Sequence, residues 1–300
     1  MDYSAIVTRF GGLDKRHNVV ILTDNEMKET ARRMQIDSAA FVGELRVINL
    51  DETEDFSAIY ALKPEDLVIL HIGIESWVGR HGKMAFAFNK PEGVAAKYIC
   101  VRPTITAKAL LEGLNTPVGL TEGIVEKYGD LPKGEVVSVK SKSGTDITLT
   151  LAGCMIIPFN THKPGANAYL PPAEISYDLE LGTAKGVIVA DVTVGELRVN
   201  GDLINPFGLV DVPVTLYIKN GEIADISGGE MAKRLKTELW KLSANCRKIV
   251  EFGIGLSKMS PSGIIGIDES IAGTCHFGFG SPSGNDAAIH LDVVINDFDI

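Results

Sequence analysis

The sequence predicts an α/β protein with two parts: an N-terminal α/β domain with a mainly parallel sheet, and a C-terminal α+β, largely antiparallel domain. In the first half, apolar runs alternate with segments of helical spacing. In the second half, strands of alternating hydrophobicity are separated by turn residues. The 300 residues allow two domains of ordinary size, and we expect a boundary near residue 150, giving domains 1–150 and 151–300.

Four apolar runs in the first half predict buried strands, namely HNVVILTD, FVGELRVINL, EDLVILHIGI and AAKYICVRP. NEMKETARRM follows the first run and has helical spacing, with Asp24 or Asn25 as its expected N-cap. TAKALLEGL follows the last run and also has helical spacing. This alternation of strand and helix is typical of a parallel sheet covered by helices.

The second half contains two hairpin signals and one long helix signal. EVVSVKSKSGTDITLTLAG alternates around Ser143-Gly144, and Asn220-Gly221 is the strongest hairpin signal because both residues tolerate positive φ. EMAKRLKTELWKLSAN, at 230–245, predicts an amphipathic helix. Its apolar face, which we assign to core packing or a dimer contact, carries Leu235, Leu239 and Leu242.

Composition excludes several classes of function. The formal charge of −10 argues against nucleic-acid binding and against binding to an anionic membrane surface. No run approaches the roughly 18 apolar residues of a spanning helix, and the N-terminus lacks the layout of a signal peptide. The four cysteines are far apart, as expected of reduced thiols in a cytoplasmic protein.

The segment GTCHFGFGSPSGNDAAIHLD, at 273–292, brings together titratable residues in an apolar setting. Its middle is rich in turn residues, which predicts a hairpin. If the turn is centred on Ser283, His276 lies opposite His290 and Thr274 lies opposite Asp292. Both imidazoles and the carboxylate then share one face of the hairpin.

This combination suits a divalent transition metal, either at a zinc-type hydrolytic centre or at a non-haem iron triad. The alternative is a hydrogen bond between one histidine and the aspartate, with the other histidine packed. Further carboxylates lie upstream: Glu251 and Glu269 occupy apolar segments, where unpaired glutamates are rarely buried. Glu230 opens the long helix, where the helix dipole alone favours a carboxylate.

The ordered series EFGIG (251–255), DESIAGTCHFGFG (268–280) and NDAAIHLD (285–292) resembles the metal-binding half of the thermophilic metallo-aminopeptidases. NAYLPPAE (167–174) and SGTDITLTLAG (143–153) resemble two further segments of that family. The resemblance covers about residues 140–300. The tyrosine that the family carries after its first ligand histidine has no counterpart in FGFGSPSG.

The resemblance implies an aminopeptidase-like hydrolase in which two divalent metals, zinc, cobalt or manganese, activate a water against a small peptide-like substrate. The residues at its ligand positions are Glu230, Glu251, Glu269, His276, His290 and Asp292. Glu251 is also our candidate for the catalytic proton shuttle.

The related 2,5-dihydroxypyridine ring-cleaving dioxygenases are an alternative, with one Fe(II) held by His276, His290 and Asp292. A third hypothesis is a metal-binding homologue without turnover. In the first domain, Arg80 and His81 follow an apolar strand and are candidates for substrate contact, although a solvated loop would explain them as well. We expect a homodimer.

Overall fold

The computed structural model describes residues 2–53, 55–73, 90–103, 105–199, 202–280 and 289–300. The chain divides into two compact units, each built from two segments. Unit 1 comprises Met1–Thr116 and Ile157–Pro172, and unit 2 comprises Pro117–Ile156 and Ala173–Ile300. Residue 150, where the sequence placed the boundary, lies within a strand of unit 2, Asp146–Ile156.

Unit 1 contains a five-stranded parallel sheet in the order β2-β1-β3-β4-β7. Its strands are β1 (Val19–Thr23), β2 (Leu45–Asn49), β3 (Leu67–His71), β4 (Lys97–Val101) and β7 (Asn167–Leu170). Its helices are α1 (Lys28–Ser38), α2 (Ser57–Tyr60) and α3 (Ala107–Leu114), preceded by a π-helix at Ile6–Phe10. Strands β1, β3 and β4 are buried along their whole length, which explains their continuous apolar runs.

Helix α1 begins later than the sequence indicated. Its N-cap position is Met27, without a side-chain cap, so the prediction of Asp24 or Asn25 is wrong. The Asp24 carboxylate instead accepts hydrogen bonds from the backbone N–H groups of Met27 and Gly73, at 2.9 and 2.8 Å. Asp24 therefore ties the ends of β1 and β3 together.

Unit 2 contains a twelve-stranded antiparallel sheet, which confirms the predicted fold class. Ten strands follow the order β11-β10-β16-β15-β14-β8-β6-β9-β12-β13, with β5 paired to β6 and β17 paired to β5. They are β5 (Val136–Ser141), β6 (Asp146–Ile156), β8 (Glu174–Leu179), β9 (Lys185–Ala190), β10 (Thr193–Val199), β11 (Asp202–Leu209), β12 (Val214–Lys219), β13 (Glu222–Ser227), β14 (Ile249–Gly255), β15 (Thr274–Gly280), β16 (Ile289–Asn296) and β17 (Phe298–Asp299).

Both hairpin signals of unit 2 are confirmed, because β5 pairs with β6 and β12 pairs with β13. Asn220 and Gly221 have φ values of 52° and 72°, as the tight turn between β12 and β13 requires. The helices are α4 (Val118–Tyr128), α5 (Glu230–Leu239) and α6 (Ile265–Asp268), with a 3-10 turn at Ala244–Arg247. Leu235 and Leu239 of α5 are fully buried, whereas Leu242 lies beyond the end of the helix.

Among the described residues the four cysteines form no disulfide; Cys100, Cys246 and Cys275 are buried and Cys154 is exposed. Among the described residues, we find no helix with the length and hydropathy needed to cross a bilayer.

Candidate metal centre

The candidate site lies on one face of four adjacent strands of unit 2, β8, β14, β15 and β16. It is defined by two neighbouring rows of residues. Within a row, the residues lie opposite one another on adjacent strands, so their side chains share a face of the sheet. The first row is Asp178, Glu251, Gly278 and Asp292, and the second is Ser176, Gly253, His276 and Val294. The other face carries aromatic rings, with Phe252 packed between Tyr177 and Phe277 at centroid distances of 6.3 and 5.4 Å.

This alternation explains the motifs EFGIG and TCHFGFG. Phe252 and Phe277 are fully buried, and burying such a ring stabilises the fold by about 2 kcal/mol. With one face anchored in this way, the intervening positions present polar groups and glycines on the opposite face.

The predicted hairpin of β15 and β16 is present, but its predicted register is wrong. His276 lies opposite Val294, Asp292 lies opposite Gly278, and His290 lies opposite Gly280. The pairing is centred on position 285 rather than on Ser283. The partner of each residue differs from the expected one by an even number of positions, so His276 and Asp292 still share a face.

Two glycines make room for the polar side chains. A Cβ atom at Gly253 would stand 2.1 Å from Cε1 and Nε2 of His276, so the imidazole occupies that space. A Cβ at Gly278 would stand 3.0 Å from Oδ1 of Asp292 and 3.1 Å from Oε2 of Glu251. The hollow over Gly278 therefore receives two carboxylate oxygens.

His276 forms an ion pair with a glutamate that the sequence analysis did not assign to the site. Its Nε2 lies 2.8 Å from Oε2 of Glu174, and both side chains are buried. One donor atom each from Glu174, Glu251 and His276 lies within 4.8 Å of the others. The Nδ1 atom of His276 has no hydrogen-bond partner among the described residues.

The carboxylates control the protonation of this imidazole. Burial disfavours the charged form of His276, but Glu174, Glu269 and Asp292 outweigh that effect and raise its pKa to about 10. Burial raises the pKa of Glu251, and the charges of Asp292 and Glu174 add to this, whereas His276 and a hydrogen bond from Ser176 lower it. Without a bound cation, the cluster therefore holds a proton on His276.

Glu269 and Asp268 have different roles although they are neighbours. Glu269 follows α6, is half-buried, and acts electrostatically on His276. Asp268 is fully buried and accepts hydrogen bonds from the N–H and hydroxyl of Ser262, the N–H of Gly263 and the hydroxyl of Thr193, at 2.5–2.9 Å. Asp268 is thus a structural residue that fixes the loop before Glu269.

The structure brings together some of the residues that the sequence proposed and separates others. Glu251, His276 and Asp292 share the face, and Glu269 is coupled to it through charge. Glu230 does not join the cluster, since its side chain is 87% exposed and contacts Lys233 at 3.4 Å. His290 is described only by its backbone pairing, and Arg80 and His81 lie outside the described residues.

Sequence reasoning missed Glu174 and Ser176. Both lie in β8: Glu174 is the last residue of the segment NAYLPPAE and Ser176 lies two positions further on. They point to the site face because they alternate with Ile175 and Tyr177. The alternation of polar and apolar residues in EISYDL was the available signal, but the pairing of β8 with β14 joins segments about 75 residues apart.

The donor set fits a divalent cation. Glu174, Glu251, Glu269 and Asp292 all act on this buried or half-buried cluster, and four carboxylates so placed repel one another unless positive charge, from a protonated His276 or from a cation, offsets theirs. Imidazole and carboxylate ligands are those that iron, zinc, cobalt and manganese take in proteins. The glycine hollow provides space for their converging oxygens.

A two-unit α/β fold with buried imidazole and carboxylate donors is typical of a metal-dependent enzyme. The chain belongs to the 2,5-dihydroxypyridine 5,6-dioxygenase (NicX) family, whose sequence profile matches residues 84–262. The matched region contains Glu174, Ser176 and Glu251 and ends before His276. No curated protein matches the chain.

Several solved structures have a similar fold, including the following two. The 2,5-dihydroxypyridine dioxygenase from Pseudomonas putida KT2440 has a TM-score of 0.64 and 15% identity, over 99% of this chain and 91% of that chain. AmpT from Thermus thermophilus has a TM-score of 0.53 and 15% identity, over 99% of this chain and 93% of that chain. The family match favours the dioxygenase branch over the aminopeptidase branch, which is represented only by a similar fold.

Proposed function

We propose that this protein is a mononuclear non-haem iron dioxygenase that cleaves the ring of a dihydroxylated pyridine or a closely related N-heterocycle. Membership of the 2,5-dihydroxypyridine 5,6-dioxygenase family is the observation that carries this proposal. It is supported by the buried histidine and aspartate on one face of unit 2, because two histidines and a carboxylate are a common ligand set for ferrous iron in oxygenases.

In this proposal, His276, His290 and Asp292 would hold the ion, as the sequence suggested. When bound, ferrous iron would bring the hydroxylated ring and dioxygen together and exchange electrons with both. Glu174 would orient His276 through its contact with Nε2. Because burial raises the pKa of Glu251, its carboxylate is suited to hold and return a proton from a substrate hydroxyl.

An aminopeptidase-like hydrolase with two zinc, cobalt or manganese ions is the second candidate. The observation that favours it is the number of carboxylates near His276. Four of them contact this site or influence it electrostatically, namely Glu174, Glu251, Glu269 and Asp292. Glu230, which the hydrolase hypothesis used as a ligand, is exposed and lies outside the cluster formed by the described residues.

The deciding experiment combines metal analysis with two assays. The protein is purified without oxygen, freed of metal, and loaded separately with Fe(II), Zn(II), Co(II) or Mn(II). We expect one Fe(II) per chain and oxygen consumption that depends on 2,5-dihydroxypyridine. Two ions per chain together with release of an amine from short peptides would establish the hydrolase instead, and metal binding without either turnover would favour a non-catalytic homologue. Light scattering on the same sample tests the expected homodimer.

A further inference from the structure

We propose that Ser176 is a positioning residue of the candidate metal centre, which holds Glu251 so that a single oxygen, Oε2, faces the hollow over Gly278. The inference rests on the proposed metal centre but concerns a residue that neither the motifs nor the family description single out. It follows from the separate environments of the two oxygens of Glu251.

The first oxygen is engaged by Ser176. The Oγ atom of Ser176 donates a hydrogen bond to Oε1 of Glu251 at 2.5 Å. Ser176 is only 7% exposed, so bulk water has little access to compete for this contact. The donor comes from β8 and the acceptor from β14, which are paired strands, so the backbone ladder fixes the position of both residues.

The second oxygen lies over Gly278. A Cβ atom at Gly278 would stand 3.1 Å from Oε2 of Glu251 and 3.0 Å from Oδ1 of Asp292, so the two oxygens converge on one point from opposite strands. Two carboxylates facing each other are unfavourable unless a cation or a proton lies close to them. The orientation that Ser176 imposes on Glu251 therefore directs negative charge toward the place where a cation would be bound.

A hydroxyl group suits this role better than a charged donor. Lysine or arginine at this position would neutralise Glu251 and compete with the metal, whereas serine orients the carboxylate and leaves its charge available. If the hydroxyl is removed, Oε1 loses the hydrogen bond from Ser176, and the carboxylate is held less firmly toward Asp292. Outer partners of this kind typically contribute about 10–100-fold to metal affinity.

Titration of the metal-free protein with Co(II) by isothermal calorimetry tests the inference without an activity assay. We expect Ser176→Ala to bind Co(II) at least about tenfold more weakly than the original chain. Ser176→Thr keeps the hydroxyl and should restore most of the affinity. Ser138→Ala, the same change at an exposed position of β5, should leave the affinity unchanged.

Equal Co(II) affinity in Ser176→Ala and the original chain would overturn the role of Ser176 and leave the proposed function standing. An original chain that binds no Co(II), Fe(II) or Zn(II) would instead overturn the metal centre itself. Urea unfolding of each variant shows whether it is folded. If Ser176→Ala does not fold, Ser176→Val replaces it: valine has nearly the shape of threonine without the hydroxyl, so its affinity must also fall below that of Ser176→Thr.

Discussion

The imidazole of His276 occupies the space that a side chain of Gly253 would fill. The two residues are direct cross-strand partners on β15 and β14, and a Cβ at Gly253 would stand 2.1 Å from the ring. The ring can therefore extend over the neighbouring strand and reach Glu174, which lies two positions before Ser176 in β8. The glycine is thus a part of the site although it contributes no functional group.

We predict that Gly253→Ala displaces His276 and weakens metal binding. The methyl group cannot be accommodated unless the ring moves by about 1 Å or more, and an error of this size in the position of a ligand removes much of its contribution. We expect Co(II) affinity to fall by at least about tenfold, as measured by calorimetry on the metal-free protein.

Gly123→Ala is the matched control for this substitution. Gly123 lies in α4, and a Cβ atom there would meet no other atom within 4 Å. Replacing a helical glycine by alanine should leave metal affinity unchanged and stabilise the protein by up to about 1 kcal/mol. The explanation for Gly253 is wrong if both variants bind Co(II) as tightly as the original chain.

We further predict that Asp268→Asn strongly destabilises unit 2. Asp268 is fully buried and accepts four hydrogen bonds, and an amide NH₂ group in its place would face a donor rather than an acceptor. We expect the free energy of unfolding in urea to fall by about 3 kcal/mol or more. Thr193→Val removes only one of these donors and should lower the free energy of unfolding by about 1 kcal/mol. Equal losses in the two variants would contradict the structural role of Asp268.

The sequence predicted the parts of this site that depend on local periodicity. His276 and Asp292 were placed on one face because side chains alternate along β15 and β16, and that rule survived an error in the register. The register was not specified by the sequence, because Ser281, Ser283, Gly284 and Asn285 all favour turns and no single pair among them marks the centre. Composition alone indicated a turn there but not its length.

Contacts between segments that are distant in the chain could not be predicted from the sequence. Glu174 reaches His276 only because β8 pairs with β14, and nothing in NAYLPPAE specifies that pairing. Glu230 illustrates the opposite case: its position after a hairpin matched a ligand position of the resembled family, but at the start of α5 its side chain is exposed. In the first half, the buried strands were predictable because a parallel sheet covered on both faces requires continuous apolar runs.

The buried His71 predicts a stability that depends on pH. Burial lowers its pKa to about 4, although the charge of Asp24 opposes this effect, and neither ring nitrogen has a hydrogen-bond partner among the described residues. In the unfolded chain a histidine has a pKa of about 6.5. The contribution of neutral His71 to the free energy of unfolding is therefore fully present above about pH 6.5. It is lost as the pH falls toward 4, because over this range only the unfolded chain takes up the proton.

We expect this residue to account for about 3 kcal/mol of the decrease in the free energy of unfolding between pH 7 and pH 4. In His71→Leu that share of the decrease should disappear, as measured by urea unfolding at several pH values. His162→Leu, a change at an exposed histidine, should keep the original pH dependence. A His71→Leu variant that follows the same pH curve as the original chain would disprove the assignment.

Stabilisation by added metal should separate the residues that form the site from those that only resemble ligands. A cation that binds only the folded chain raises the free energy of unfolding by about 2.7 kcal/mol at one hundred times its dissociation constant. We expect Co(II) to stabilise the original chain and Glu230→Ala equally, because Glu230 is 87% exposed and contacts Lys233 rather than the cluster. His276→Ala and His290→Ala should lose the stabilisation while remaining folded. Loss of the effect in Glu230→Ala would return that glutamate to the ligand set and favour the dinuclear hydrolase, whereas retention in His276→Ala would show that the cation binds elsewhere.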